Sequence, residues 1–239
     1  MDVSFRSSAF SRAIRRFAAL LLLAVVSPAF ASVWILADDY SLSANPNGRW
    51  SYGTSLVPGQ DFALLTKVYP QVREASGGAC AGWAGDIYNG YEHLPMTQKC
   101  FGDPKRYAVH IGYPSEGPKP AVKQRNGGVF VHPANGNAGY AVIRWTAPRN
   151  ALYAIWVSFY SADIYTGATT SAQVLRNGSV LSDGAVNGFS GNKSFSTPDE
   201  GLRLSAGDVI DIVVGNGDGY FGSDSTGVDA VIRTLDARL

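Results

Sequence analysis

The chain has 239 residues, with 20 Lys and Arg set against 19 Asp and Glu. So even a balance excludes the basic stripe that nucleic acid requires. It also excludes the polybasic segment that would hold a protein to an anionic membrane surface.

Residues 1–31 read as an export signal. Arg6, Arg12, Arg15 and Arg16 stand against one acid, Asp2, and an apolar run follows over 18–26. Ser27 and Pro28 break that run, and Ala29-Phe30-Ala31 supplies the small-x-small site of a signal peptidase. Positive start, short apolar middle and small-residue end are the parts of a cleaved secretory signal. A membrane anchor is the competing reading, but a span needs about 20 apolar residues and Pro28 would end a helix. Cleavage after Ala31 is therefore expected, with a secreted or periplasmic product. It removes four Arg and one Asp, leaving 16 basic and 18 acidic residues and a net charge of −2. No later segment is apolar enough to span a bilayer.

Residues 32–239 fit one all-β domain, since sandwiches run to about 200–250 residues as single units. β-branched and aromatic residues dominate the apolar set, and no 3.6-residue period is sustained, so strands are predicted over helices. In chain order the expected strands are 33–36, 50–52, 62–68, 107–113 and 128–132, then 140–145 and 152–159. The last two flank Pro148-Arg149-Asn150, a turn sequence, and are expected to form a hairpin. A sharper hairpin is predicted for 172–176 and 179–181 around Asn177-Gly178, because a type I′ turn needs positive φ at both central residues. Strands at 201–204, 209–214 and 229–233 complete the set. Two antiparallel sheets packed face to face, in a jelly-roll β-sandwich, are the expected fold.

Residues 76–103 are mostly Gly, Ala, aromatic and polar and are predicted as a long excursion of the functional kind. Cys80 and Cys100 are the only cysteines. An even pair in an exported protein points to a disulfide; two buried thiols are the other reading. Zinc is excluded, because two cysteines without a paired His motif cannot complete four ligands.

Asn45-Pro46-Asn47-Gly48-Arg49-Trp50-Ser51-Tyr52-Gly53, Leu204-Ser205-Ala206-Gly207-Asp208 and Asp224-Ser225-Thr226-Gly227-Val228-Asp229-Ala230 form a pattern over most of 38–232. It resembles the jelly-roll, galactose-binding-like modules of secreted bacterial proteins. The resemblance implies a β-sandwich related to carbohydrate-binding modules. It also implies a structural calcium between an N-terminal acid and the final loop and strand. Asp38, Asp39, Asp224 and Asp229 are the residues here that could converge on such an ion, which takes six to eight oxygens. Ordinary turn capping is the competing reading for these acids. The segment between Cys80 and Cys100 has no counterpart in the resemblance.

On this reading the protein is a secreted, non-catalytic module for carbohydrate of a cell wall or matrix. An exported structural or adhesive protein acting through protein contacts is the first alternative, and a polysaccharide hydrolase or lyase the second. Sugars offer apolar C–H faces and rings of hydroxyls, which exposed aromatics and Asn, Asp or Arg would recognise. The candidate contacts are Trp83, Asp86, Tyr88, Asn89 and Tyr91 in the cysteine loop, Asp163 and Tyr165 after 152–159, and Tyr220. Trp50, Trp145 and Trp156 are expected in the core. No catalytic residue is assigned. His93, His110 and His132 lack a Gly-x-Ser-x-Gly partner, and His93 alone is kept as a weak candidate. The few glutamates, Glu74, Glu92, Glu116 and Glu200, fall in loop-like stretches.

Overall fold

Strand β9 (Ala151–Ser161) shows how the sequence builds the molecule. Tyr153, Ile155, Val157 and Phe159 point one way and are at most 2% exposed, while Trp156 between them is 36% exposed. A two-residue side-chain period with one dry and one wet face is what a sheet over a core imposes. The computed structural model describes residues 31–71, 79–88, 93–101, 128–135, 139–162 and 167–235. Residues 1–30 of the expected export signal (1–31) and the strand expected at 107–113 lie outside them.

The elements before β9 are β1 (Val33–Ile35), α1 (Leu36–Asp39), β2 (Trp50–Ser55), β3 (Ala63–Leu64), β4 (Lys67–Gln71), β5 (Ala79–Tyr88), β6 (His93–Phe101), β7 (Val129–His132) and β8 (Tyr140–Thr146). After it come β10 (Ala168–Arg176), β11 (Ser179–Gly188), β12 (Asn192–Ser196), β13 (Leu202–Leu204), β14 (Val209–Gly215) and β15 (Thr226–Leu235). Sheet A runs β12-β9-β15-β7-β6-β5-β4, with β1 also on β15 and β13 also on β9. Sheet B runs β11-β10-β14-β8-β2-β3. The pairings are antiparallel, and the fold is the expected jelly-roll sandwich.

One core lies between the sheets. Trp50, Tyr52, Ile143, Trp145, Ile212 and Val214 come from sheet B, and Val131, Tyr153, Ile155, Val157 and Phe159 from sheet A. Trp145 meets Trp34 and Tyr153 with ring centroids 5.2 Å away in each case and planes steeply inclined, the edge-on contact that aromatic quadrupoles favour. Each large side chain so buried contributes about 1.5–3 kcal/mol of apolar transfer. The Asn177-Gly178 turn forms as predicted, with φ of 48° and 80° and Arg176 opposite Ser179.

Four expectations are corrected. The 76–103 stretch is largely sheet, because β5 and β6 pair with Cys80 opposite Cys100 and the disulfide joins those rungs. Its glycines look like loop residues but serve close approach: a Cβ on Gly82 would lie 2.4 Å from the Thr97 carbonyl oxygen. The 62–68 run divides into β3 in sheet B and β4 in sheet A. Strands β8 and β9 are no hairpin, since they lie in opposite sheets. The Pro148-Arg149-Asn150 turn carries the chain across the sandwich, and Ala147 is tied by backbone bonds to Asp208 and Gly207. Trp156 is outside the core, because it is out of phase with the buried residues of its own strand.

Candidate functional site at one end of the sandwich

The register of sheet A gathers loops at one end. Thr226 pairs with Val131 and with Ser161, and His132 pairs with Met96. The start of β15, the end of β7, the end of β9 and the β5–β6 tip therefore share one edge. Backbone and side-chain bonds hold them there: Ala162 N–H to Ser225 O at 3.0 Å, Ala134 N–H to Gly139 O at 3.0 Å and Asn216 Nδ2 to Ala134 O at 3.4 Å. Gly217 sits so close to β10 that a Cβ would come 2.1 Å from Thr169 O.

Asp224 is the hub of this end. It is fully buried. Its Oδ1 accepts from the Thr169 N–H and hydroxyl, each at 3.0 Å, which fastens the β14–β15 loop to the start of β10. Its Oδ2 has no hydrogen-bond partner among the described residues. Burial pushes the carboxyl above its ordinary range, opposed by the two Thr169 bonds and by nearby His132, and assisted by Asp218. His132 is itself buried, with Nδ1 2.8 Å from the Pro133 carbonyl.

Over this base lies an aromatic surface. Phe221 packs with Tyr69 on Ala84, Leu94, Met96 and Ala134, so the β14–β15 loop is seated on the β5–β6 hairpin. Tyr69 stacks on His93 with centroids 3.7 Å apart and planes 12° from parallel. Tyr220 leans on Phe221 at 5.6 Å and is 65% exposed, its amide donating to Asp218 Oδ1 at 2.9 Å. A register shift between Ala84 and Ile87 turns Asp86 outward, where it pairs with Lys67 at 2.6 Å in solvent. An exposed pair of this kind adds little stability and leaves both groups at the surface.

The predicted contacts separate accordingly. Tyr220 and Asp86 are exposed at this end, on two stretches of chain that Phe221 joins. Trp83 is a correction: it is 8% exposed within the main core, and its indole N–H donates to Ser41 O at 2.8 Å. The pairing of Trp83 with Val68 and Thr97 turns the ring between the sheets. Tyr88 is described only as backbone in β5, and Asn89, Tyr91, Asp163 and Tyr165 lie outside the described residues.

The aspartates named for calcium hold separate places in the fold. Among the described residues no three His, Cys, Asp or Glu side chains group as metal ligands. Asp39 Oδ2 takes the Trp50 indole N–H at 2.9 Å, Asp224 caps β10, and Asp229 stands five residues further along, opposite Ser158 in mid-sheet. The sequence reading missed Tyr69 and the seat of Phe221 on the hairpin, both of which depend on contacts between distant segments. It also misplaced Trp156, although the alternation of β9 carried the signal.

No family model and no curated protein matches the chain. Among solved structures it is similar to the CBM51 module from Clostridium perfringens GH95 in complex with methyl-galactose. The identity is 13% over 85% of this chain and 100% of that one, with a TM-score of 0.42. The structure of CBM51-2 with GlcNAc and INT domains from Clostridium perfringens ZmpB is similar at 11% identity, covering 72% and 41%, TM-score 0.37. Rabbit GITRL is similar at 20% identity, covering 38% and 70%, TM-score 0.29. Two of the three are carbohydrate-binding modules, the class the sequence resembles. With TM-scores below 0.5 these likenesses carry no functional weight, and the sandwich is read from the strand pairing itself.

Proposed function

We propose that this chain is a secreted, non-catalytic module that binds carbohydrate at the loop end of its sandwich. The observation that supports it most is the seating of Phe221 on the β5–β6 hairpin with Tyr220 leaning on it. It sets an exposed aromatic face in the loop of Asn216 and Asp218, at the end of the sandwich that also carries Asp86, on a base fixed by Asp224. A sugar ring offers an apolar face to the first and hydroxyls to the second. The two described histidines serve structure here, His132 held at the Pro133 carbonyl and His93 stacked on Tyr69, which supports binding over turnover.

The test is titration of residues 32–239 against a glycan array and insoluble cell-wall polysaccharides. Loss of one exposed aromatic contact is worth about 1–2 kcal/mol, so Tyr220→Ala weakens Kd by roughly fivefold to thirtyfold with an unchanged melting temperature. Equal binding by Tyr220→Ala and Asp86→Ala, or no saccharide bound by the unmodified protein, overturns the proposal. Secretion is tested separately: N-terminal sequencing of the exported protein should begin at Ser32.

A further inference from the structure

We propose that sheet A carries a second saccharide site on its outer face, centred on Trp156 and separate from the loop end. This rests on the reading of the protein as a carbohydrate binder. Trp156 is the large side chain that the alternation of β9 sends outward, and it forms part of a groove of about 240 Å³. The turn through Thr197 and Asp199 walls one side, and Arg233 and Val231 of β15 lie on the other. Thr197 is held in place by two bonds to Ile155, its amide to the carbonyl at 3.0 Å and its hydroxyl from the Ile155 N–H at 3.1 Å. The wall is therefore built into the sheet.

The register extends the platform sideways. Trp156 pairs with Val231 and Val231 with Ile35 of β1, and Ile35 is 37% exposed. Strands lie about 4.8 Å apart, so an apolar stripe roughly 10 Å long crosses β9, β15 and β1. Charges of opposite sign flank it. Arg233 is two residues along β15 on one side, opposite Ala154, and Asp229 two residues along on the other, opposite Ser158.

That arrangement selects the occupant. A flat apolar strip suits the C–H face of a pyranose. Arg233 donates, Asp199 and Asp229 accept, and vicinal hydroxyls do both. With Arg233 and Asp199 balancing each other in the groove lining, an uncharged saccharide fits better than a uronate or sulfated chain. A protein partner laid over the strip would desolvate Arg233 and Asp199 without the matched geometry that buried charges need. The stripe is open along its length, so it accepts the interior of a chain and does not require a free end. Trp156 and the loop end lie on one face of one sheet. Five residues of β9 separate Trp156 from Ser161, about 17 Å at strand rise. A single polymer can thus occupy both, with the gain in avidity that linked sites give.

The test compares unmodified protein, Trp156→Ala, Arg233→Ala and Tyr220→Ala. Each is measured by calorimetric titration with an uncharged oligosaccharide identified on the array and by depletion onto the parent insoluble polysaccharide. Two sites per chain are expected in the unmodified protein and one in Trp156→Ala, with polymer affinity reduced about tenfold or more and the loop-end Kd unchanged. Arg233→Ala should weaken the same site, and it serves where Trp156→Ala folds poorly. One site per chain, with polymer binding untouched by Trp156→Ala and Arg233→Ala but lost in Tyr220→Ala, refutes the second site and leaves the loop-end reading standing. No saccharide bound by the unmodified protein refutes both.

Discussion

Replacing Trp83 with Phe separates a packing role from a ligand contact. The change keeps an aromatic ring but removes the indole N–H that donates to Ser41 O at 2.8 Å. A hydrogen bond of this kind contributes about 0.5–1.5 kcal/mol. The smaller ring also leaves a void in a site only 8% exposed, adding about 1–2 kcal/mol by the cavity relation. The sum is about 1.5–3.5 kcal/mol. For a domain of about 200 residues each kcal/mol lowers the melting temperature by about 2–4 °C, so a drop of roughly 3–14 °C is expected. Scanning calorimetry measures it, and titration with the array-identified saccharide at 25 °C, well below the transition, should give a Kd within about twofold of the unmodified protein. An unchanged melting temperature with lost binding would refute the burial argument and return Trp83 to the ligand surface.

Two further outcomes follow from the same geometry. Converting both Cys80 and Cys100 to Ala opens a cross-link between residues 20 apart, for which the chain-entropy model gives about 3 kcal/mol. The urea midpoint should fall accordingly, and a midpoint within error of the parent would show that the β5–β6 pairing constrains the unfolded chain by itself. Asp224→Asn tests the buried carboxyl. Because the folded group is held above its ordinary value by burial, its contribution is fully present below the unfolded pKa and is lost as pH rises through the folded one. Asn does not titrate, so the parent should lose melting temperature relative to Asp224→Asn as pH rises from the ordinary Asp range, about 4. A gap moving the other way would mean that the ionised carboxylate is the stabilised form.

The fold was legible where one residue at a time reports its own environment. The alternation of Tyr153, Ile155, Val157 and Phe159 predicts a half-buried strand, and Asn177-Gly178 predicts its turn, because both are local properties of the backbone. Sheet membership was not legible. Nothing in 140–159 distinguishes a hairpin from a crossing between sheets; the difference lies in β14 and β15, more than fifty residues away, which claim β8 and β9 respectively. The glycines of β5 misled for a similar reason. Gly82 is chosen by the Thr97 carbonyl across the ladder, a contact that composition reads as looseness. At the site, Tyr220 could be picked out as an aromatic among Asn, Asp and Gly, but its support by Phe221 required the hairpin it sits on. Trp156 was legible and misread: hydrophobicity suggested the core, whereas its phase relative to four buried neighbours pointed outward.

The pairing of β15 also bears on the order in which the molecule can form. Along one edge it holds β9, and along the other it holds β7 at its start and β1 at its end. The first strand of the domain and the strands at its centre thus all wait for the last one. A chain emerging from its N-terminus can build sheet B early, since β2, β8, β10 and β14 all precede Thr226, but sheet A stays in separate pieces until about the final fifteen residues arrive.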